Sequence, residues 1–348
     1  MRAFFLCVVC AHLCAWQVQD LHTNIDTTWM DDSITNQLQQ FPKRYRRSDI
    51  AKSYEKIING YYGSHAPIGL VHFMDGVCNS KTPNDIDAQF LSRLKSFESA
   101  LCHLHSIKPL PDLDLLVCLD ECFERPYLKH LLDVPILSLS KSKSNDKVVL
   151  IPRGLFDCNR IAMEERNRPW KERDAKVFWA FTSMNRYDIG FDWRLGPTIP
   201  LLYQANKHDC LDFCIPKTPA ARFVRFSQKR AFLRDQLNSA QICSYRYHLI
   251  FDQRSVASDF EEKFASGATI FMDDTRYQMW LSPILKAHQH YLPVNECCDN
   301  LLELYNWCES NEPQAQQFAA NALSFADTWL SEQMVLIYFS KILDAWGQ

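Results

Sequence analysis

The chain has 348 residues, of which 47% are hydrophobic and 23% charged, enough apolar material for two ordinary domain cores and too much for intrinsic disorder. A formal net charge of -3 offers no bulk attraction to polyanions, and the basic clusters at 43–47 and 222–230 are short and interrupted. Nucleic-acid binding, which needs a concentrated cationic face, is excluded on that ground.

At the start, Met1 and Arg2 precede an apolar run through Trp16 that reads as the charged and hydrophobic parts of a secretory signal over residues 1–16. His12 interrupts the run and no small-x-small site precedes Gln17, so a buried N-terminal strand is the alternative. The run is shorter than the roughly 20 apolar residues that span a bilayer, and no later window is longer, so no transmembrane segment is expected in the mature chain. A signal would route the protein to the secretory pathway (endoplasmic reticulum lumen) or to export; without one it is cytoplasmic. Of 14 cysteines, Cys7, Cys10 and Cys14 fall in this leader, leaving an odd 11 that cannot all pair even in an oxidising compartment. Cys210 with Cys214 and Cys297 with Cys298 have no second pair of ligands at zinc spacing, so no structural metal is expected, and Cys118 and Cys122 read as core thiols.

Residues 48–58 have helical periodicity, 60–63 break it with glycines, and 68–73 read as a strand. Phe90, Leu91, Leu94, Phe97 and Leu101 form a second helical face that ends before Pro109 and Pro111. The nearly continuous apolar run 113–119 predicts a central parallel strand covered on both faces, and 134–139 and 148–151 predict two further short strands. Pro169 and Trp170 mark a helix start, and 175–180 another buried strand. The stretch 190–200, rich in Gly and Pro, is taken as the domain boundary, dividing the chain into 17–192 and 193–325, with a terminal helix over 326–348 packing back toward the first domain. Beyond it, a strand at 249–252, a helix at 258–265, a stop at Gly267 and a strand at 268–272 follow βαβ grammar, and helices close the chain from Pro313 onward. The G-x-G-x-x-G fingerprint is absent, which argues against a nicotinamide or flavin dehydrogenase.

Several segments in one order resemble the family-ninety glycosyltransferases, which include protein O-glucosyltransferases and microbial capsule- and lipopolysaccharide-modifying enzymes. They are LPDLDLLV from Leu110, VPILSLSK from Val134 with VLIP from Val149, PWKERDAKVF from Pro169, YRYHLIFD from Tyr245, FASGATIFMDD from Phe264, HQHYLPVN from His288 and the stretch around Trp307. The resemblance covers about 45–344 and is dense from Leu110 onward. It implies an α/β, GT-B-like fold, with two Rossmann-type domains facing across a cleft and C-terminal helices. It also implies inverting, metal-independent transfer of a sugar, usually from a uridine-linked nucleotide donor, to a protein or glycan hydroxyl, with no cofactor.

By that resemblance the general base is a carboxylate just beyond the LPD strand, and counting from Pro111 puts it at Glu121, with Asp120 one residue earlier. Without the resemblance, the two acids simply open a solvated loop. The family's donor loop carries an Arg-Gly pair; here the corresponding stretch is Ala180, Phe181, Thr182, Ser183, Met184, Asn185 and Arg186. Thr182, Ser183 and Arg186 are the donor candidates there, and a loop-surface role is the alternative. A cation for the diphosphate is offered by Arg254 before the following helix or Lys263 within it, where Asp259 also invites a helix-surface pair. Asp252, at the end of its strand, is a further donor contact, Lys141 an acceptor-side contact, and His290 with Tyr291 scaffolding. Because base, loop and cation all depart from the family pattern, the competing reading is a catalytically silent member that binds a glycan, nucleotide or protein.

Overall fold

The computed structural model describes residues 16, 18–39, 41, 45–59, 67–122, 134–143, 145, 147–156, 163–180, 198–217, 229–251, 256–273 and 277–346. The chain divides into two α/β units. Met1–Leu139, Asn145–Cys158 and Glu332–Gln348 form the first, and Ser140–Ser144 with Asn159–Ser331 the second.

In the first unit β1 (Ile68–Met74) and β2 (Val77–Lys81) form a hairpin whose turn residues Asp75 and Gly76 both have positive φ, 50° and 79°. That pair of angles is the type I′ requirement, which Asp-Gly meets at low cost. β3 (Leu113–Cys118) and β4 (Ile136–Ser138) follow; after β5 (Lys141–Ser142), which belongs to the second unit, comes β6 (Val148–Leu150). The sheet order is β2-β1-β3-β4-β6. All six positions of β3 are buried, as its apolar run predicts. It is nevertheless parallel only to β4 and runs antiparallel to β1, which corrects the purely parallel expectation. A buried run reports two covered faces and says nothing about the direction of its neighbours.

The helices of this unit are α1 (Thr28–Leu38), α2 (Arg47–Ile58) and α3 (Ala88–Ile107). Asp87 caps α3 by accepting the Gln89 N–H at 2.9 Å, and the helix buries Leu94, Phe97, Leu101 and Leu104 at three- and four-residue spacing. Edge strand β6 is finished by a side chain: the Leu150 N–H donates to Gln37 Oε1 of α1 at 2.7 Å. The C-terminal helix Glu332–Trp346 completes the core of this unit. Tyr338 stacks on Trp29 with ring centroids 6.0 Å apart, and Phe339 meets Phe97 at 5.3 Å. Gly154 admits the same helix, since a Cβ there would stand 3.0 Å from Val335 Cγ2.

The second unit holds β7 (Asp174–Ala180), β8 (Leu211–Pro216), β9 (Leu233–Arg234), β10 (Tyr245–Ile250), β11 (Thr269–Asp273) and β13 (Leu292–Val294), ordered β13-β11-β10-β7-β8-β9. Every pairing in this sheet is parallel. The two-residue strand β12 (Tyr277–Gln278) pairs antiparallel with β5. Helices α4 (Thr198–Ala205), α5 (Phe260–Phe264), α6 (Leu301–Ser310) and α7 (Glu312–Trp329) connect or follow these strands, and Trp170–Glu172 makes a single 3-10 turn where a helix start was expected. One face of the sheet buries Val177, Trp179, Tyr247, Leu249 and Phe271, and the other Phe178, Cys214 and Tyr245.

The division between the units falls between Cys158 and Asn159, which corrects the boundary expected near 192. β7 pairs with β8 and β10, so it belongs to the second sheet. A Gly- and Pro-rich composition marks a loss of periodicity; it does not say which sheet the preceding strand has joined. Likewise the terminal helix of the first unit begins at Glu332, while α7 stays with the second. Among the described residues no helix is long and apolar enough to cross a membrane.

Candidate active site

At the carboxyl end of β3 the chain leaves the sheet through Leu119 and reaches Asp120 and Glu121. Glu121 is held by two arginines from other elements. Arg93 of α3 donates from NH2 to Glu121 Oε1 at 2.6 Å and from NH1 to the Leu119 carbonyl at 2.9 Å. Arg153, in the one-turn 3-10 helix Arg153–Leu155, donates from NH1 to Oε1 at 3.2 Å and from NH2 to Oε2. Burial alone would raise the Glu121 pKa, but the charges and hydrogen bonds of Arg153 and then Arg93 outweigh it and hold the carboxyl below its ordinary value. Glu121 is therefore ionised at neutral pH, with its orientation set by a bidentate partner. Asp120 lies beside it, its Oδ1 accepting the Glu121 N–H at 2.8 Å.

In the second unit the parallel sheet presents the ends of β7, β8, β10, β11 and β13 (Ala180, Pro216, Ile250, Asp273 and Val294) along one edge. In open α/β sheets the carboxyl edge is where ligands bind. Thr182, Ser183 and Arg186 follow β7, and Asp252 and Arg254 follow β10; all five lie outside the described residues. Lys263 is described and is 1% exposed. Its Nζ donates to the Leu249 carbonyl at 2.8 Å and pairs with Asp259 at 2.7 Å, so the ammonium joins α5 to the end of β10. Lys141 is buried on β5 and sits in the second unit, whereas the expected boundary put this acceptor-side residue in the first. His290 Nδ1 accepts the Lys286 N–H at 3.1 Å and its ring lies 4.7 Å from Phe325, in the turn that leads into β13. Burial lowers its pKa, as does Lys286.

Three residues escaped the sequence reading. Arg93 and Arg153 carry no local signal, because each meets Glu121 only through the tertiary fold. Asp273, a buried carboxylate closing β11, was visible as an acid that ends a strongly apolar strand. Among the described residues no three His, Cys, Asp or Glu side chains converge as a metal-ligand set.

The family model described as Glycosyl transferase family 90 matches residues 104–348, well over half of the chain. The chain belongs to glycosyl transferase family 90. This family 90 protein is 22% identical over 286 residues to human Protein O-glucosyltransferase 1, covering 75% of this chain and 68% of the human one. It is also 25% identical over 123 residues to "Uncharacterized protein 179R" of Invertebrate iridescent virus 6, spanning 33% of this chain and only 10% of the viral protein's length. Among solved structures, the Anabaena protein HepE in complex with UDP and glucose is similar at 9% identity, with a TM-score of 0.45 over 74% of this chain and 77% of that one. For a family 90 glycosyltransferase, the chemistry calls for an oriented carboxylate and a nucleotide-binding edge. The acid pair after β3 and the carboxyl edge of the parallel sheet are the candidates for those two parts.

Proposed function

We propose that this family 90 glycosyltransferase is an inverting, metal-independent enzyme that moves a hexose from a uridine diphosphate sugar to a hydroxyl of a protein or glycan, with Glu121 as general base. The observation that carries the reading is Glu121 itself: a carboxylate just past a buried strand, kept ionised and oriented by Arg153 and Arg93. In the step, the acceptor oxygen attacks the anomeric carbon and passes its proton to the carboxylate. The bond to the diphosphate breaks, its electron pair leaves with the nucleoside diphosphate, and configuration inverts. Arg186 and Arg254, with the hydroxyls of Thr182 and Ser183, stabilise the departing diphosphate by charge and hydrogen bonding, while Asp252 contacts another part of the donor. The human relative being a protein O-glucosyltransferase supports glucose as the first sugar to assay. The leader-like residues 1–16 support a secretory compartment.

The test is Glu121→Gln against wild type. Wild type transfers sugar from a uridine diphosphate donor, and thermal melting rises on adding uridine diphosphate, by about 2.7 kcal/mol of added stability at 100 times its dissociation constant. The variant keeps that thermal shift and loses at least about 100-fold in turnover. Retained turnover in Glu121→Gln moves the base, first to Asp120. Wild type with neither turnover nor a shift with any nucleoside diphosphate supports instead the catalytically silent reading.

A further inference from the structure

Cys78 lies on β2 and Cys102 on α3, and their Sγ atoms stand 3.8 Å apart. Their other contacts are weak: Cys78 Sγ donates to the Glu98 carbonyl at 3.7 Å and Cys102 Sγ to the Gly76 carbonyl at 3.8 Å. Cys102 is exposed and Cys78 half-buried, whereas Cys118, Cys214, Cys243, Cys298 and Cys308 are buried where no oxidant reaches them. A disulfide needs sulfurs about 2.05 Å apart, so the two must close by about 1.7 Å. β2 is an edge strand with a neighbour on one side only, so a bond to α3 would give it a second attachment.

We propose that Cys78 and Cys102 form a disulfide when the chain meets an oxidant disulfide, stapling the β1–β2 hairpin to α3, the helix that carries Arg93. The exposed Cys102 thiolate attacks the oxidant, forming a mixed disulfide and releasing one thiol. The Cys78 thiolate then displaces the second oxidant sulfur, so two electrons pass to the oxidant and its two sulfurs leave as thiols that take up the two protons. The order follows from access, and burial followed by the nearness of Cys102 pushes the Cys78 thiol up, which makes it the poorer first nucleophile.

The full chain, purified reduced, is equilibrated in a glutathione redox buffer set to the oxidising poise of a secretory compartment, quenched in acid, alkylated and peptide-mapped. The expected result is one crosslinked peptide pair joining Cys78 to Cys102, both alkylated after reduction, with the oxidised protein melting at least about 5 °C above the reduced protein. In Cys102→Ser that gain disappears while the reduced proteins melt alike. Full alkylation of both cysteines after equilibration, or their linkage to other cysteines, overturns the proposal. The wild-type map decides this even where the variant fails to fold.

Discussion

His248 has the most demanding environment among the titratable residues described. It is wholly buried on β10, its ring edge-on to Phe178 at 5.9 Å and 6.2 Å from Tyr245. Burial first, then the charges of Lys263 and Arg173, hold its pKa well below the usual 6.5. The sign follows directly. Below pH 6.5 an unfolded chain takes up a proton that the folded His248 refuses, so stability is complete above that pH and declines beneath it. The slope is at most about 1.4 kcal/mol per pH unit. Glu121 acts with the same sign but only below its ordinary 4.5, so a loss seen above that pH is not its doing. Denaturant unfolding at about pH 7.5 and about pH 5.5 is expected to show an acid loss in wild type that is reduced in His248→Phe. Equal losses in both would remove His248 from the account. At this scale the acids after the LPD strand were readable as a pair, but their surroundings were not. Arg93 and Arg153 lie 28 and 32 positions from Glu121, so their union is a product of the fold.

At the level of elements, the glycine after α5 marks where a helix must stop and a strand begin. Gly267 has φ +74°, and a Cβ there would stand 2.9 Å from the Arg166 carbonyl oxygen and 2.9 Å from the Arg173 guanidinium. Arg173 is itself fixed by the Ser266 carbonyl at 3.1 Å and the Arg166 carbonyl at 2.8 Å, so neither neighbour gives way easily. Gly69 is the contrast: its added Cβ would meet the flexible Leu94 Cδ1 at 3.1 Å with no left-handed backbone involved. Gly267→Ala is expected to cost about 1–3 kcal/mol in chemical unfolding, and Gly69→Ala less; the reverse ranking would discredit the backbone argument. The Gly267 stop and the strand after it were legible because helix termination is a local event. Lys263 shows the limit of such reading: its register suggested a cation aimed at phosphate, and its ammonium is bound to Asp259 and the Leu249 carbonyl. The β1–β2 hairpin is signalled locally by Asp75-Gly76, a turn pair that hydrophobic periodicity does not register.

Considered as a whole, the chain completes its first unit with its last helix. Met334, Tyr338, Phe339, Ile342 and Leu343 are all buried, and residues as large as Phe cost about 3–5 kcal/mol each when truncated, against a typical total stability of about 5–15 kcal/mol. Deleting residues 332–348 is therefore expected to unfold the first unit. In hydrogen exchange, protection should vanish across β1 and β3 and persist across β7, β10 and β11, whose unit contains none of this helix. Protection retained in β1 and β3 would show that the helix is dispensable. The sequence alone determined the family, through motifs in a fixed order, and the alternation of helices with buried strands, because hydrophobic period and turn chemistry act over a few residues. Only the tertiary structure decided where the units divide, that β3 has an antiparallel neighbour, and that Glu121 is clamped by two arginines. Each of these depends on which distant segments meet, and neither spacing nor composition encodes that.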